Sequence, residues 1–124
     1  MTVKTCLLVS DDPDDHQAFS EATSEISKDA VVLIILESQK ALNFLTLKSH
    51  KFDYIFVDLF MQGIKINTFL KMVQRDPHLH ATQIIVYGDE SNFNRIENAA
   101  GLIFFNKDYE YSELIDFLKR FFAS

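Results

Sequence analysis

Short apolar runs alternate along this chain with longer segments in which apolar residues recur at helical spacing. The runs are four to six residues long and rich in β-branched or aromatic side chains. Because they lack a polar residue at every second position, they predict strands that are buried on both faces of a sheet. We place five strands in this way, at residues 5–9, 31–36, 54–57, 83–87 and 102–105.

Five segments that follow these strands show the i, i+3, i+4 spacing of a helix with one buried face. Their apolar positions are Ala18, Phe19, Ala22 and Ile26; Ala41, Leu42 and Leu45; Ile66, Phe69, Leu70 and Val73; Phe93, Ile96 and Ala100; and Leu114, Phe117, Leu118 and Phe121. Residues at the boundaries agree with these positions. Asp12 is a suitable N-cap for the first helix, with Pro13 at its first position. Asp76 and Pro77 end the third helix, and Gly101 ends the short fourth one.

Strands that alternate with helices predict an α/β fold with a parallel sheet covered on both faces. We expect the flavodoxin-like (βα)5 arrangement, a doubly wound five-stranded parallel sheet in the order 2-1-3-4-5. The 124 residues give room for one domain and one core, so we expect a single domain over residues 1–124 with no output domain.

Composition excludes several classes of protein. The net charge is −6 and no stretch of the sequence is rich in Lys or Arg, which argues against a nucleic-acid surface. No apolar run is long enough to span a membrane or to act as a secretory leader. Cys6 is the only cysteine and lies in an apolar run, so it predicts a small core residue and no intramolecular disulfide. These features favour a cytoplasmic protein without membrane contact.

Acidic residues follow the predicted strands where the winding of the sheet reverses. Asp11 and Asp12 follow strand one, Asp58 follows strand three, and Lys107 follows strand five. Because strands one and three are neighbours in the expected order, these side chains should share one crevice at the carboxyl ends of the strands. Gathered carboxylates repel each other unless a cation binds, and Mg²⁺ needs only one or two of them together with waters. A carboxylate beside Mg²⁺ and a lysine can accept a phosphoryl group.

The chain resembles the receiver domain of two-component response regulators over essentially its whole length. The matching residues are 7–15, 53–61 and Lys107. The resemblance implies that Asp58 is phosphorylated by a histidine kinase or a phosphotransfer protein, and that Lys107 pairs with the phosphoryl group. It implies a signalling protein rather than a classical enzyme, acting on an unknown downstream protein. The kinase and the oligomeric state, including a homodimer, stay open.

The resemblance also assigns the metal and the switch positions. Asp11 and Asp58 would hold Mg²⁺, with Asp12 as a further candidate ligand. Position 88 would carry the hydroxyl that contacts the phosphoryl group, but it is Gly88 here. Phe104 occupies the aromatic position that moves with activation.

The chain departs from the receiver pattern at further positions. Ser10 stands where an acidic residue is usual, so only a neutral hydroxyl is available there. The stretch 88–107 is shorter than usual by about one helical turn, roughly three to four residues. These departures leave a second hypothesis beside the phosphorylated receiver, namely a pseudo-receiver that binds proteins independently of phosphorylation. A small phosphatase-like or nucleotide-binding enzyme is a third, disfavoured because the three glycines form no phosphate-binding loop.

Other polar residues near the predicted site have simpler interpretations. We interpret Asp14 and Asp15 as first-turn acids on a solvated face of the first helix, where they favour the positive end of its dipole. Asp12 can act as a helix cap, as a metal ligand or as both. The residues 109–111 form either a docking surface or an aromatic cover over the edge of the sheet.

Overall fold

The computed structural model describes residues 4–46, 51–60 and 63–122. The strands are β1 (Lys4–Val9), β2 (Ala30–Ile35), β3 (Tyr54–Asp58), β4 (Gln83–Gly88) and β5 (Ile103–Asn106). The α-helices in these ranges are α1 (Pro13–Ile26), α2 (Ser38–Leu45), α3 (Ile66–Arg75) and α4 (Tyr111–Phe122), and two 3₁₀ segments cover Pro77–Leu79 and Glu90–Arg95. Met61, the last residue of the second receiver-like motif, lies outside the described residues.

The strands form one parallel sheet in the order β2-β1-β3-β4-β5. The predicted α/β, flavodoxin-like topology is therefore confirmed. Boundary residues behave as the sequence predicts at two helices. Asp12 caps α1 by accepting a hydrogen bond from the Asp14 amide at 3.0 Å, with Pro13 in the first turn. Asp76 ends α3 and caps the following 3₁₀ segment through the His78 amide at 2.9 Å.

Two apolar layers cover the faces of the sheet, because side chains alternate between the faces along each strand. Val57 and Val86 face α2 and α3, whereas Phe56 and Ile85 face α1 and α4. Cys6 is buried in the second layer, as predicted. Burial raises the pKa of its thiol, although a hydrogen bond with the Phe56 backbone acts in the opposite direction.

The prediction of a fourth helix between β4 and β5 is wrong. Its place is taken by the 3₁₀ segment Glu90–Arg95 and a series of turns. Only Ile96 of its three apolar positions is buried; Phe93 is half-buried and Ala100 is exposed. One buried side chain offers too little tertiary packing to stabilise so short an α-helix. Gly101, at a φ of 83°, serves the turn before β5 rather than a helix end.

The α-helices of the described residues are short compared with the thickness of a membrane. The longest, α1, has 14 residues, whereas a bilayer requires about 20. None of these helices is both long and apolar enough to cross one.

Candidate functional site

An open cavity of about 800 Å³ lies at the carboxyl ends of the strands. Asp11, Asp12, Asp58 and Lys107 all line it. The sheet order explains this convergence, because β3 lies between β1 and β4 at the point where the winding reverses. The structure thus brings together the four charged residues that the sequence places at the site.

Asp58 and Lys107 form the central ion pair of this cavity. Asp58 is the last residue of β3 and is only 3% exposed. Its Oδ2 accepts a hydrogen bond from Lys107 Nζ at 3.0 Å, and its Oδ1 accepts one from the Phe60 amide at 3.0 Å. Partial burial acts to lower the pKa of Lys107, but the hydrogen bond and charge of Asp58, followed by those of Asp15, raise it above its usual value. Lys107 is therefore a permanent cation at physiological pH.

Asp11 and Asp12 lie at the mouth of the cavity. Asp12 Oδ2 is 3.3 Å from Lys107 Nζ, so this residue is both a helix cap and an ion-pair partner. Slight burial acts to raise the pKa of Asp12, but the Asp14 amide and Lys107 lower it overall. Asp11 is exposed, and among the residues that the structure describes its carboxylate has no hydrogen-bond or ion-pair partner.

Asp15 belongs to the same charge cluster, and our interpretation of it as a solvated acid is wrong. It is 4% exposed, and its Oδ2 is 3.2 Å from Lys107 Nζ. Asp14, by contrast, is exposed as expected. The signal was present in the sequence, since Asp15 precedes Ala18 and Phe19 by three and four residues and so shares their buried stripe on α1.

Known proteins resemble this chain in fold but not in sequence. The sequence matches no family model and no curated protein. Solved structures do resemble it. The chemotaxis response regulator CheY4 of Vibrio cholerae has a TM-score of 0.80 at 19% identity, over 96% of this chain and 98% of that one. This chain has the fold of a response-regulator receiver domain.

Two further structures with the receiver fold match along nearly their whole length. The phosphorylated cyanobacterial phytochrome response regulator RcpA has a TM-score of 0.83 at 19% identity, over 99% of this chain and 96% of that one. The receiver domain of a sensor histidine kinase from Pseudomonas aeruginosa, which holds a magnesium ion in its active-site cleft, has a TM-score of 0.78 at 16% identity. That match covers 99% of this chain and 100% of the other.

Ser10 does not line the cavity that contains Asp58 and Lys107, so its hydroxyl is not placed to bind a metal there. It is fully buried, and its hydroxyl oxygen accepts a hydrogen bond from the Asp12 amide at 3.1 Å. The same hydroxyl donates to Asp15 Oδ2 at 3.4 Å. A carboxylate at position 10 would therefore meet the carboxylate of Asp15, and like charges at such a distance repel.

Packing accounts for Gly88, the position at which the resemblance implies a hydroxyl. A Cβ atom added there would lie 2.7 Å from the Cβ of Leu59, closer than such atoms approach. Leu59 is buried at 5% exposure, so it cannot simply swing away. A hydroxyl-bearing side chain at position 88 is thus excluded by Leu59, which follows β3 beside the end of β4.

Phe104 lies on the opposite side of β5 from the helices α1 and α4. It is half-buried and packs against Phe93, with ring centroids 4.9 Å apart. Neither ring carries a polar group that would favour exposure. Phe104, to which the resemblance assigns the switch role, is consequently held by an apolar contact with the 3₁₀ segment.

The residues 109–111 include an aromatic cover, in agreement with one of the two interpretations of this run. Tyr109 stacks on Phe105 at 5.4 Å and on Phe19 at 6.5 Å. Its hydroxyl donates to Asp15 Oδ1 at 3.3 Å. Burial, followed by the charge of Asp15, raises the pKa of Tyr109 above its ordinary value. Tyr111 is exposed and donates to Glu25 at 2.8 Å.

The donor atoms of the cavity fit a hydrated hard cation. Asp11 offers an exposed carboxylate and Asp58 a carboxylate at the floor of the cavity. Within residues 4–46, 51–60 and 63–122, no three acidic, histidine or cysteine side chains converge as a metal-ligand set. Mg²⁺ suits such a site because it commonly binds through one or two carboxylates and keeps several waters.

Proposed function

We propose that this protein is a receiver that accepts a phosphoryl group on Asp58 from a histidine kinase or a phosphotransfer protein, and that it signals by contact with another protein. The observation that carries the proposal is the buried Asp58 carboxylate, paired with Lys107 at 3.0 Å on the floor of an open cavity. A buried carboxylate that faces an open cavity beside a permanent cation is suited to nucleophilic attack on phosphorus.

The transfer would proceed by in-line displacement. A carboxylate oxygen of Asp58 forms the new bond to phosphorus while the bond from phosphorus to the donor's imidazole nitrogen breaks, and that nitrogen leaves with the electron pair. The Lys107 ammonium and the Phe60 amide, which both contact Asp58, offset negative charge on the phosphoryl oxygens. Asp11 and Asp58 would hold Mg²⁺, which would supply additional charge neutralisation. Asp12, which pairs with Lys107 at 3.3 Å, is only a further candidate ligand.

Binding of a phosphoryl analogue tests the proposal without a kinase. Beryllofluoride with Mg²⁺ should bind the wild-type protein in a calorimetric titration, and Asp58→Asn should abolish this binding while leaving thermal unfolding cooperative. Asp116→Asn is a matched control, because Asp116 is an exposed acid on α4 away from the cavity. If Asp58→Asn binds beryllofluoride as the wild type does, Asp58 is not the acceptor.

A pseudo-receiver that binds proteins independently of phosphorylation is the second candidate. Two observations favour it: Gly88 leaves no room for a switch hydroxyl, and three carboxylates already surround Lys107. A wild-type protein that binds neither beryllofluoride nor a phosphoryl group would support this candidate instead.

A further inference from the structure

A second layer of polar side chains lies behind the pair of Asp58 and Lys107. At its centre is Asp15, whose two oxygens each accept a hydrogen bond from a tyrosine. Tyr87 donates to Oδ2 at 3.1 Å and Tyr109 donates to Oδ1 at 3.3 Å. Ser10 adds a third donor at 3.4 Å. The carboxylate of Asp15 is thus restrained by the residue that follows β1, by β4 and by the segment that follows β5.

We propose that Asp15 is a positioning residue that holds the Lys107 ammonium above Asp58. This rests on the proposed phosphoryl transfer at Asp58. Lys107 Nζ lies 3.2 Å from Asp15 and 3.0 Å from Asp58, so one ammonium contacts both carboxylates. A lysine side chain loses much rotamer freedom when it is held in one place. Because burial and three hydrogen bonds restrain Asp15, it orders Lys107 before the phosphoryl group arrives, and the transfer then requires less ordering.

Burial separates Asp15 from the other acid that contacts Lys107. Asp12 is 34% exposed at its side chain and Asp15 only 6%. Water screens the attraction between Asp12 and Lys107, whereas the attraction between Asp15 and Lys107 is screened much less. Asp15 is consequently the stronger anchor, although the two distances differ by only 0.1 Å (3.3 and 3.2 Å).

Asp15→Asn tests this role because it removes the charge and keeps the size of the side chain. We expect beryllofluoride with Mg²⁺ to bind the variant about tenfold or more weakly, the range expected when a hydrogen bond to a charged group is lost. Asp14→Asn is the matched control, since it removes the same charge from an exposed position in the same turn of α1. Tyr109→Phe should give a smaller loss, because the ring still stacks but no longer donates to Asp15.

A background that lacks the ammonium separates positioning from a structural role. In Lys107→Ala, Asp15→Asn should weaken binding no further, because there is no ammonium left to position. An equal loss in both backgrounds would overturn the proposal, and so would equal effects of Asp15→Asn and Asp14→Asn in the wild-type background.

A failure of the proposed function would be recognised separately, as the absence of beryllofluoride binding in the wild type. The pairing of Asp15 with Lys107 is then decided by the unfolding free energies of Asp15→Asn, Lys107→Ala and the double variant. We expect a non-additive loss, and additive losses would overturn the proposal.

A separate cavity of about 760 Å³ is lined by residues that follow β3, by α3, and by Arg95 and Glu97. Its lining includes four cationic residues, namely Lys65, Lys71, Arg75 and Arg95, and one acidic residue, Glu97. Among the described residues none of these four cations has an ion-pair partner. Phe60 and Met72, which are 57% and 50% exposed, add an apolar surface. We call this surface the cationic groove.

Asn67 of α3 ties residues 95–97 to this helix at the cationic groove. The Asn67 amide group donates to the Arg95 carbonyl at 2.9 Å, and its oxygen accepts from the Glu97 amide at 2.9 Å. These bonds fix the segment that replaces the fourth helix. Phe60 lines the Asp58 cavity as well as the groove, so the two surfaces are continuous.

We infer that the cationic groove docks an acidic amphipathic segment of a partner protein. Four unpaired cations against one carboxylate make it complementary to negative charge, although the chain as a whole carries a net charge of −6. The exposed Phe60 and Met72 favour a partner that also carries apolar side chains, which distinguishes such a segment from a nucleic-acid backbone.

A synthetic helical peptide with Glu and Leu on opposite faces tests the inference by NMR titration. We expect saturable shifts of amides from residues 64–75 and 95–97, and no shifts with the same peptide carrying Gln in place of Glu. Lys71→Glu with Arg75→Glu should abolish these shifts, whereas Lys40→Glu with Lys119→Glu, on α2 and α4, should not. Equal effects of the two charge reversals, or tighter binding of a single-stranded oligonucleotide at the same amides, would overturn the inference.

Discussion

At the residue scale, Leu59 occupies the space that any side chain at position 88 would need. A side chain at position 88 would meet the Cβ of Leu59 at 2.7 Å, and Leu59 lies in the buried layer beneath α2 and α3. This contact changes how the missing hydroxyl is understood. Replacing Gly88 with Thr would add a clash together with the hydroxyl, so it would not simply restore a receiver switch.

We expect Gly88→Ala to lower the free energy of unfolding by about 1–3 kcal/mol, the usual effect of overpacking a well-packed site. Denaturant titrations would measure this loss. The same substitution in a Leu59→Gly background should cost much less, because that background lacks the Cβ atom that the new methyl group meets. Equal losses in the two backgrounds would show that the close contact is not the cause.

Tyr109 links the charge cluster to alkaline stability. The pKa of Tyr109 is raised in the folded protein, first by burial and then by Asp15. In the unfolded chain the phenol titrates at about pH 10. As the pH rises through about 10, the unfolded state releases the phenolic proton first, so this contribution to stability is lost with rising pH. Tyr109→Phe should therefore give a shallower fall of the unfolding free energy above about pH 10. Unchanged slopes in urea titrations from pH 8 to 11 would contradict this.

Sequence and structure agree to different degrees at this scale. Asp58 and Lys107 could be predicted because Asp58 is the last residue of β3 and Lys107 directly follows β5, and the end of a strand fixes where these residues lie. The contact between Asp15 and Tyr109 could not be predicted from the sequence, since it joins residues 94 positions apart. Only the packing of α1 against the segment after β5 brings them together.

At the scale of elements, the 3₁₀ segment Glu90–Arg95 packs on the face of β5 that points away from α1 and α4. Their main apolar link is the contact of Phe93 with Phe104. The sequence showed a helical spacing in this region, but spacing alone cannot reveal that only Ile96 finds a buried position. The positions of the strands were predicted more accurately, because continuous apolar runs mark them. The expected burial on both faces holds for the central strands β1, β3 and β4 but is wrong for the edge strand β2, where Val31 and Leu33 are 51% and 38% exposed.

This arrangement predicts how far from Asp58 the structure changes when a phosphoryl analogue binds. With no hydroxyl at position 88, a phosphoryl analogue has no side-chain contact that would shift Phe104, and a ligand shifts an equilibrium only through differential contacts. Beryllofluoride with Mg²⁺ should therefore shift NMR amide signals strongly near Asp11, Phe60 and Gly88, and only slightly from residue 93 to residue 104. Large shifts across that range would show that another route connects the site with β5.

At the scale of the whole molecule, the receiver fold and its charge cluster are set by one property of the chain. Five apolar runs form a parallel sheet whose carboxyl ends gather polar residues that lie at or just after the ends of β1, β3 and β5. The sequence was sufficient to predict this gathering, because the winding order determines which strand ends are neighbours. It was not sufficient to predict the shapes of the two cavities, which depend on Leu59 and on the segment that replaces the fourth helix.

The central claim is that Asp58 accepts a phosphoryl group, and intact-protein mass spectrometry after incubation with acetyl phosphate and Mg²⁺ tests it most directly. The wild-type protein should gain the mass of one phosphoryl group, lose it again at alkaline pH as an acyl phosphate does, and show no gain when Asp58 is replaced by Asn. A wild-type protein that gains no phosphoryl mass, or an Asp58→Asn variant that gains it equally, would contradict the account.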